Sequence, residues 1–456
     1  MRQRSQLQLY IRPASLETTL SQELLEIDRI LEKVPDIAGV LSQILLDLGA
    51  RSEQKGREGM CAEQVLRAGL IRMRLGLCYR DLEHATQDSL SIREFLKIGY
   101  GRGFKKSSLQ KNIKRVKDST WEMLNNCLKA FAVGHGIEDG KKIRTDTTCS
   151  ETNIHYPTDG TLLNDSVRVL TRVMTYAQEL GGAPIDFMNH YRATKKKVYK
   201  LNNTSKRDKR HQLYLELIRL TRSTLRYAEQ ALEILREYDG SRDLQMQLVL
   251  QKSEIELERY IPLVGQVIDQ AYRRLVLGET LTADEKIVSL FEPHTDILVK
   301  GLRDVAFGHK VCITEGASSL ILDVKVLDGN PADSELVPGV IDRHMQFYGT
   351  APKEAVFDGC FASAANRNYA KQNGIEELTF SKNRYLDINS LVSSQTVHRK
   401  LRNFRAGIEA CISYMKRIFG WSRILDKGKQ SFAATIQAAA AAYNLTVLAR
   451  YRLRAV

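Results

Sequence analysis

Three carboxylates and two cations stand at positions where they could act together. Asp146 closes the run KKIRTDTT (141–148), Asp358 closes EAVFDG (354–359), and Glu409 lies within LRNFRAGIEACISYMKRIFGW (401–421). In that last stretch Arg405, Glu409 and Lys416 follow one another at intervals of four and seven, which at ~100° per residue brings them within ~40° on one helix face. Carboxylate oxygens with bound water suit Mg²⁺, with Mn²⁺ as a substitute. Two such ions ~4 Å apart can activate a nucleophile and stabilise the leaving oxygen of an in-line phosphoryl displacement. Arg405 and Lys416 would then grip neighbouring phosphates. Each acid alone has a plainer reading: Asp146 caps a turn, Asp358 ends a strand, Glu409 pairs with Arg405 or Lys416 across a turn. The order strand-Asp, strand-Asp, helix-Glu, with cations at fixed spacing, favours the metal reading.

The elements that must hold these groups can be read from periodicity. Opposite the charged edge of 401–421 runs the apolar stripe Phe404, Ile408, Cys411, Tyr414, Met415 and Ile418, which predicts a helix laid on a sheet. HKVCITEG (309–316) and LILDVKVLDG (320–329) read as neighbouring strands, 331–349 as helix, 354–359 as strand, 362–374 as helix and EELTFS (376–381) as strand. The expected class is α/β, a mixed sheet with flanking helices. A helical insertion, 162–300, interrupts it. Within the insertion, nine basic residues between Arg192 and Arg210 face Asp208 alone, and leucine-rich stripes predict helices over 211–238 and 242–277 that pair as a hairpin. Lys195, Lys196, Lys197, Arg207 and Arg210 are candidate phosphate contacts, against the plainer reading of a solvated loop.

The chain before the sheet, about 1–138, reads as an all-α region. Ser15 caps a run with Leu16, Leu20, Leu24, Ile27 and Ile30, Pro35 breaks it, and a second run spans Ala62 to about His84. After GYGRG (99–103), a single helix capped by Ser107 or Ser108 is predicted through Phe131, with Lys111, Lys114 and Arg115 on its early turns. Such cations suit a DNA recognition helix, or equally an ordinary solvated basic face. The organisation expected is therefore a helical region (1–138), an α/β domain that carries the three acids (139–161 with 301–456), and the basic insertion (162–300).

Composition favours nucleic acid or an anionic surface as partner, and charge alone leaves ribosomal, membrane-surface and DNA-binding proteins all in play. Across 456 residues, 43% of them hydrophobic, 68 Lys and Arg outweigh 54 Asp and Glu to give +14. The seven cysteines, at 61, 78, 127, 149, 312, 360 and 411, form no CxxC, so neither zinc nor a disulfide framework is indicated and reduced cytoplasmic thiols are expected. MRQRSQLQLYIRP lacks the apolar core of a signal peptide. Phe432 to Ala449 is uncharged but rich in Ala, Gln and Thr, and reads as a buried helix of a soluble protein. Asp159 and Asp165 are weaker alternatives to Asp146. His155 and His294 read as local hydrogen-bonding residues, Trp121 and Trp421 as core residues with base stacking as the alternative.

Four motifs carry a resemblance: RTDTTCSETNIHYPTDGTLLNDS (144–166), SLFEPHTDILVKG (289–301) followed by FGHKV (307–311), AVFDGCFAS (355–363) and RAGIEACISYMKRIFGWSR (405–423). From about residue 140 onward the chain resembles the bacterial insertion-sequence DDE transposases, most of all the ISNCY-type group. The resemblance implies a ribonuclease-H-like catalytic core with Asp146, Asp358 and Glu409 as the metal-binding triad. It implies too that 1–138 is a DNA-binding and dimerisation region and that 139–161 with 301–456 is the catalytic domain. It also implies cleavage at transposon ends, joining of the released 3′ hydroxyl to target DNA, double-stranded DNA as partner, a homodimer or larger synaptic complex, and a bacterial, nucleoid-associated location. Related transposases carry Tyr, Arg, Glu and Lys around the third acid. Arg405, Glu409 and Lys416 match the last three, while Arg402 stands in the place of the Tyr. Two other classes compete: a catalytically silent, transposase-derived DNA-binding regulator, and a host nuclease or resolvase on the same fold.

Overall fold

The computed structural model describes residue 4 and residues 18–49, 59–99, 101–238, 243–300, 304–381 and 386–454. The chain divides into two compact units, one formed by Met1–Thr152 with Gly308–Val456 and the other by Asn153–Phe307. The insertion therefore begins and ends several residues outside the expected 162–300.

The first helices follow their caps and breakers. α1 (Thr19–Lys33) starts where the Thr18 side chain accepts a bond from Ser21 N; the expected cap Ser15 and Leu16 lie outside the described residues. Pro35 and the left-handed Asp36 (φ 53°) separate α1 from α2 (Ile37–Asp47). The predicted run from Ala62 to His84 is broken at Gly76 (φ 61°), giving α3 (Ala62–Arg74) and α4 (Tyr79–Asp88), and then α5 (Leu90–Phe95). The single helix expected from Ser107 or Ser108 is in fact two, α6 (Lys106–Ile113) and α7 (Asp118–Gly134), the first beginning after Lys105 with no side-chain cap. The break is bought by Asp47, whose Oδ2 accepts from Lys117 N at 3.0 Å and from Thr120 Oγ1 at 2.6 Å and so serves the start of α7 from a distant part of the chain.

β1 (Lys142–Thr152) then enters the sheet. The second unit follows: α8 (Asp159–Gly181), α9 (Tyr191–Asn202), α10 (Arg207–Glu237), α11 (Leu244–Leu275) and β2 (Asp296–Lys300), a strand absent from the sequence reading. α10 and α11 form the expected hairpin, and with α8 they enclose a core of their own that includes Leu163, Leu217, Leu257 and Val264.

β3 (Asp304–Gly316) leads back, followed by β4 (Ile321–Val326), α12 (Val337–Tyr348), β5 (Glu354–Phe357), α13 (Ala364–Gln372), β6 (Glu377–Phe380), α14 (Gln395–Ile418), β7 (Arg423–Ile424) and α15 (Lys429–Arg454). The seven strands make one mixed sheet in the order β2-β3-β1-β5-β6, with β4 also paired to β3 and β7 to β1. β3 runs antiparallel to both β1 and β4, whereas β5 and β6 continue parallel to β1. α15 lies against α7, α1 and α3 and buries Ala438 to Ala442. Of the described helices it alone is long and apolar enough to cross a membrane, yet 83% of that stretch is buried inside the protein. One hydrophobic core runs from Leu24 through the strands to Ala449, so the N-terminal helices share their interior with the sheet.

Candidate active site

Parallel register sets up the site. The last paired rung of β1 and β5 is Thr145 with Phe357, so Asp146 and Asp358 occupy the next step of two neighbouring strands and project to the same side. β1 does not end at Asp146 as expected. It continues to Thr152 because β3 is long enough to pair with it from Ile143 to Glu151, which leaves Asp146 mid-strand opposite Ile313 but just past the parallel ladder. α14 crosses this end of the sheet, and its Arg405 gathers all three acids. Nη2 lies 3.1 Å from Asp146 Oδ2 and 3.0 Å from Asp358 Oδ1, and Nη1 lies 2.7 Å from Glu409 Oε1. Both terminal nitrogens of Arg405 thus engage the protein's own carboxylates while its buried Nε has no partner, a different engagement from the phosphate grip expected of it. Both aspartates have further partners: Thr147 N donates to Asp146 Oδ1 at 2.8 Å and Ser381 Oγ to Asp358 Oδ1 at 2.6 Å. Glu409 is 64% exposed; Asp146 and Arg405 are 15% exposed.

Three carboxylates share this one guanidinium, so the cluster carries excess negative charge. Burial pushes the Asp146 carboxyl up to about 6, with the charges of Asp358 and Asp333 adding to the rise and Thr147 N–H and Arg405 opposing it. Asp333, which sequence reading did not single out, comes from the turn after β4 and is held by Lys310 Nζ at 2.7 Å and Thr147 Oγ1 at 3.0 Å. Lys310 sits inside FGHKV, so only its motif pointed to it.

The placement of α14 depends on a buried ion pair. Arg144 and Glu315 face each other across β1 and β3, with Nε 2.7 Å from Oε2, and their side chains are 8% and 1% exposed. Arg144 Nη1 then donates to the carbonyl of Phe404 at 2.7 Å, and its guanidinium lies 4.5 Å from the centre of the Phe404 ring. That carbonyl immediately precedes Arg405. Gly407 permits the approach: a Cβ there would fall 1.9 Å from Arg144 Nη1. The helix begins earlier than 401, after the Ser394 cap, and stops at Ile418, where Gly420 (φ 75°) turns the chain and Trp421 returns to the core. Ile408, Cys411 and Met415 are buried as expected, whereas Ile418 at the last turn is 40% exposed. Lys416 lies two turns beyond Glu409, ~10 Å along the axis. Arg402 is exposed, and its charge adds to the burial that lowers the imidazole pKa of His398 one turn back.

Among the described residues no group of three or more His, Cys, Asp and Glu side chains stands where it could hold a metal ion. At the three acids the Arg405 guanidinium lies between the carboxylates. In ligand type the set suits a hard divalent cation, since two half-buried aspartate oxygens aim at one nitrogen and Glu409 joins through that group's other arm. The chain matches no protein-family model, no curated protein and no solved structure.

The other predicted residues separate into two groups. Lys111, Lys195, Lys196 and Arg207 are exposed. Lys114, in contrast, turns inward to Asp426 at 3.5 Å, where Arg72 (2.7 Å), Tyr79 (3.4 Å) and Thr435 (3.1 Å) also converge. Arg115 donates to the carbonyl of Leu48 at 3.0 Å, Lys197 pairs with Glu216, and Arg210 closes the α9–α10 turn through the carbonyls of Leu201 (2.8 Å) and Thr204 (3.1 Å). These four have structural partners because each sits where a helix ends or meets a neighbour. Asp159 is bound by Arg274 at 2.9 Å and Asp165 by Arg168 at 2.8 Å and His155 at 3.3 Å, all within the second unit. His294 bonds Glu292 at 2.8 Å, and Trp121 and Trp421 are buried.

Proposed function

We propose that this chain is a DDE transposase of the insertion-sequence type, which binds the terminal inverted repeats of its element, cuts DNA there and transfers the freed strands to a target. The observation that carries the reading is that one guanidinium, Arg405, gathers Asp146 and Asp358 from neighbouring parallel strands and Glu409 from α14. We read the sheet, three antiparallel strands extended on the side of the first by two parallel ones, as ribonuclease-H-like. Mg²⁺ held by the three carboxylates would supply the activation of a hydroxyl nucleophile and the stabilisation of the leaving oxygen. The aspartates, on rigid strands, fix the position at which a phosphodiester must lie, while Glu409 comes from a helix that Arg144 anchors to the same sheet. Arg405 neutralises the acids and is the group best placed to meet a DNA phosphate when a cation replaces it there. Double-stranded DNA is the partner, and a paired assembly of two chains on two ends follows from the same reading.

A catalytically silent DNA-binding protein is the second reading, favoured by the position of Arg405 at the centre of the acids and the exposure of Glu409. Strand cleavage on DNA bearing the element's ends, with Mg²⁺ or Mn²⁺, separates them. Asp358→Asn and Glu409→Gln should each lower the rate about a hundredfold or more while binding persists. Variants that cut as fast as the parent would remove the triad, and a parent that binds ends but never cuts would establish the silent form.

A further inference from the structure

We propose that Arg219, Arg222 and Arg226 on α10 form a track for the phosphate backbone of double-stranded DNA, a surface separate from the basic stretch of α9; the proposal rests on the transposase reading. The three arginines follow at intervals of three and four, so they share one helix face over ~10 Å, and all three are exposed. Among the described residues none of them has a carboxylate within ion-pair distance. Other arginines of this unit do find acids: Arg236 pairs with Glu258 at 2.5 Å, Arg273 with Glu279 at 2.6 Å and Glu285 at 3.1 Å, and Arg274 with Asp159 at 2.9 Å. Glu216, one turn before Arg219, is taken by Lys197. The row thus sets three like charges at helix spacing with no direct ion pair of their own, although the charge of Glu216 reaches Arg219, and a polyanion would engage donors that no acid holds.

The surroundings suit a backbone more than a small anion. The arginines line an open groove with Leu215, Leu225 and Tyr272 of α11, and Leu215 is 41% exposed within it. The Arg222 guanidinium lies 5.1 Å from the Tyr272 ring centre, a contact that orients it without engaging its donors in an ion pair. Beyond Arg226 the same face turns acidic at Glu229 and Glu233, so the positive row has an end. Its length matches about three successive phosphates of one strand at ~3.4 Å each along the duplex axis.

The test is fluorescence anisotropy of the full chain with a labelled duplex of about 40 base pairs of arbitrary sequence, titrated across KCl concentrations. Replacing Arg219, Arg222 and Arg226 together by Gln should weaken binding about tenfold or more at low salt and make the log–log salt slope shallower by about 2 to 3. Replacing the three by Lys should keep most of the slope, and Arg236→Gln should leave it unchanged. A triple Gln variant with the parent's slope overturns the track and leaves the transposase reading standing, as would loss of binding to phosphatidylserine vesicles alone. A parent that fails to bind any duplex removes the transposase reading, and the track falls with it.

Discussion

Gly407→Ala sets two well-measured effects against each other. In the middle of an α-helix the change normally stabilises by about 1 kcal/mol, because glycine loses more backbone freedom on folding. At 407, however, the new methyl would lie 1.9 Å from Arg144 Nη1 and 2.3 Å from its Cζ, so the guanidinium must move. Moving it breaks the 2.7 Å bond to the Phe404 carbonyl, a charged hydrogen bond whose loss costs about 1.5–3 kcal/mol. The nearly buried partner Glu315 limits where the arginine can go without further loss. The net expectation is destabilisation by about 1–2 kcal/mol, a fall of about 1–3 °C in the melting midpoint. Gly265→Ala in α11 supplies the contrast, since a Cβ there meets nothing within 4 Å and should raise stability by about 0.5–1 kcal/mol. Scanning calorimetry and urea titration of both variants read the signs. If Gly407→Ala stabilises as Gly265→Ala does, Arg144 does not hold α14 in the way described. A double variant with Arg144→Met extends the cycle: with the guanidinium gone, Gly407→Ala should recover its ordinary helix gain.

Two further predictions concern charge. With its carboxyl raised from 3.8 to about 6 in the folded protein, Asp146 costs nothing well below pH 3.8, where both states are protonated, destabilises increasingly from there to about pH 6, and costs a constant amount above it, where both states are ionised. Asp146→Asn should therefore gain on the parent by up to about 2–3 kcal/mol between pH 4 and pH 8 in metal-free urea titrations, and a difference that stays constant with pH would refute the shift. At the other cluster, Asp426→Ala strands Arg72, whose side chain is 10% exposed, and should cost about 3–5 kcal/mol, whereas Lys114→Gln should cost under about 1 kcal/mol and leave the salt dependence of DNA binding alone. A Lys114→Gln slope shallower by about 1 would make that lysine a phosphate contact after all.

Local periodicity made some of this fold legible and long-range pairing hid the rest. Helices predicted at 211–238 and 242–277 stand at Arg207–Glu237 and Leu244–Leu275, because thirty residues of leucine spacing leave little freedom. The break before α7 was invisible, since its acceptor is Asp47, and so was the Arg144–Glu315 pair, because a charge buried on a strand has no periodic signature. β2 was missed for being five residues long behind a helical run. The site itself divides along the same line. Spacing of four between Arg405 and Glu409 suggests an ordinary intrahelical ion pair, and that pair is present at 2.7 Å through Nη1. It cannot discriminate between a plain surface pair and a functional cluster. The contacts that go beyond a helix pair are those of Nη2 with Asp146 and Asp358, and they exist because one rung of parallel register, Thr145 with Phe357, sets the two aspartates side by side under α14. A slip of that register by one residue would turn one aspartate to the opposite face of the sheet and leave Arg405 and Glu409 as the unremarkable pair that the helix alone predicts.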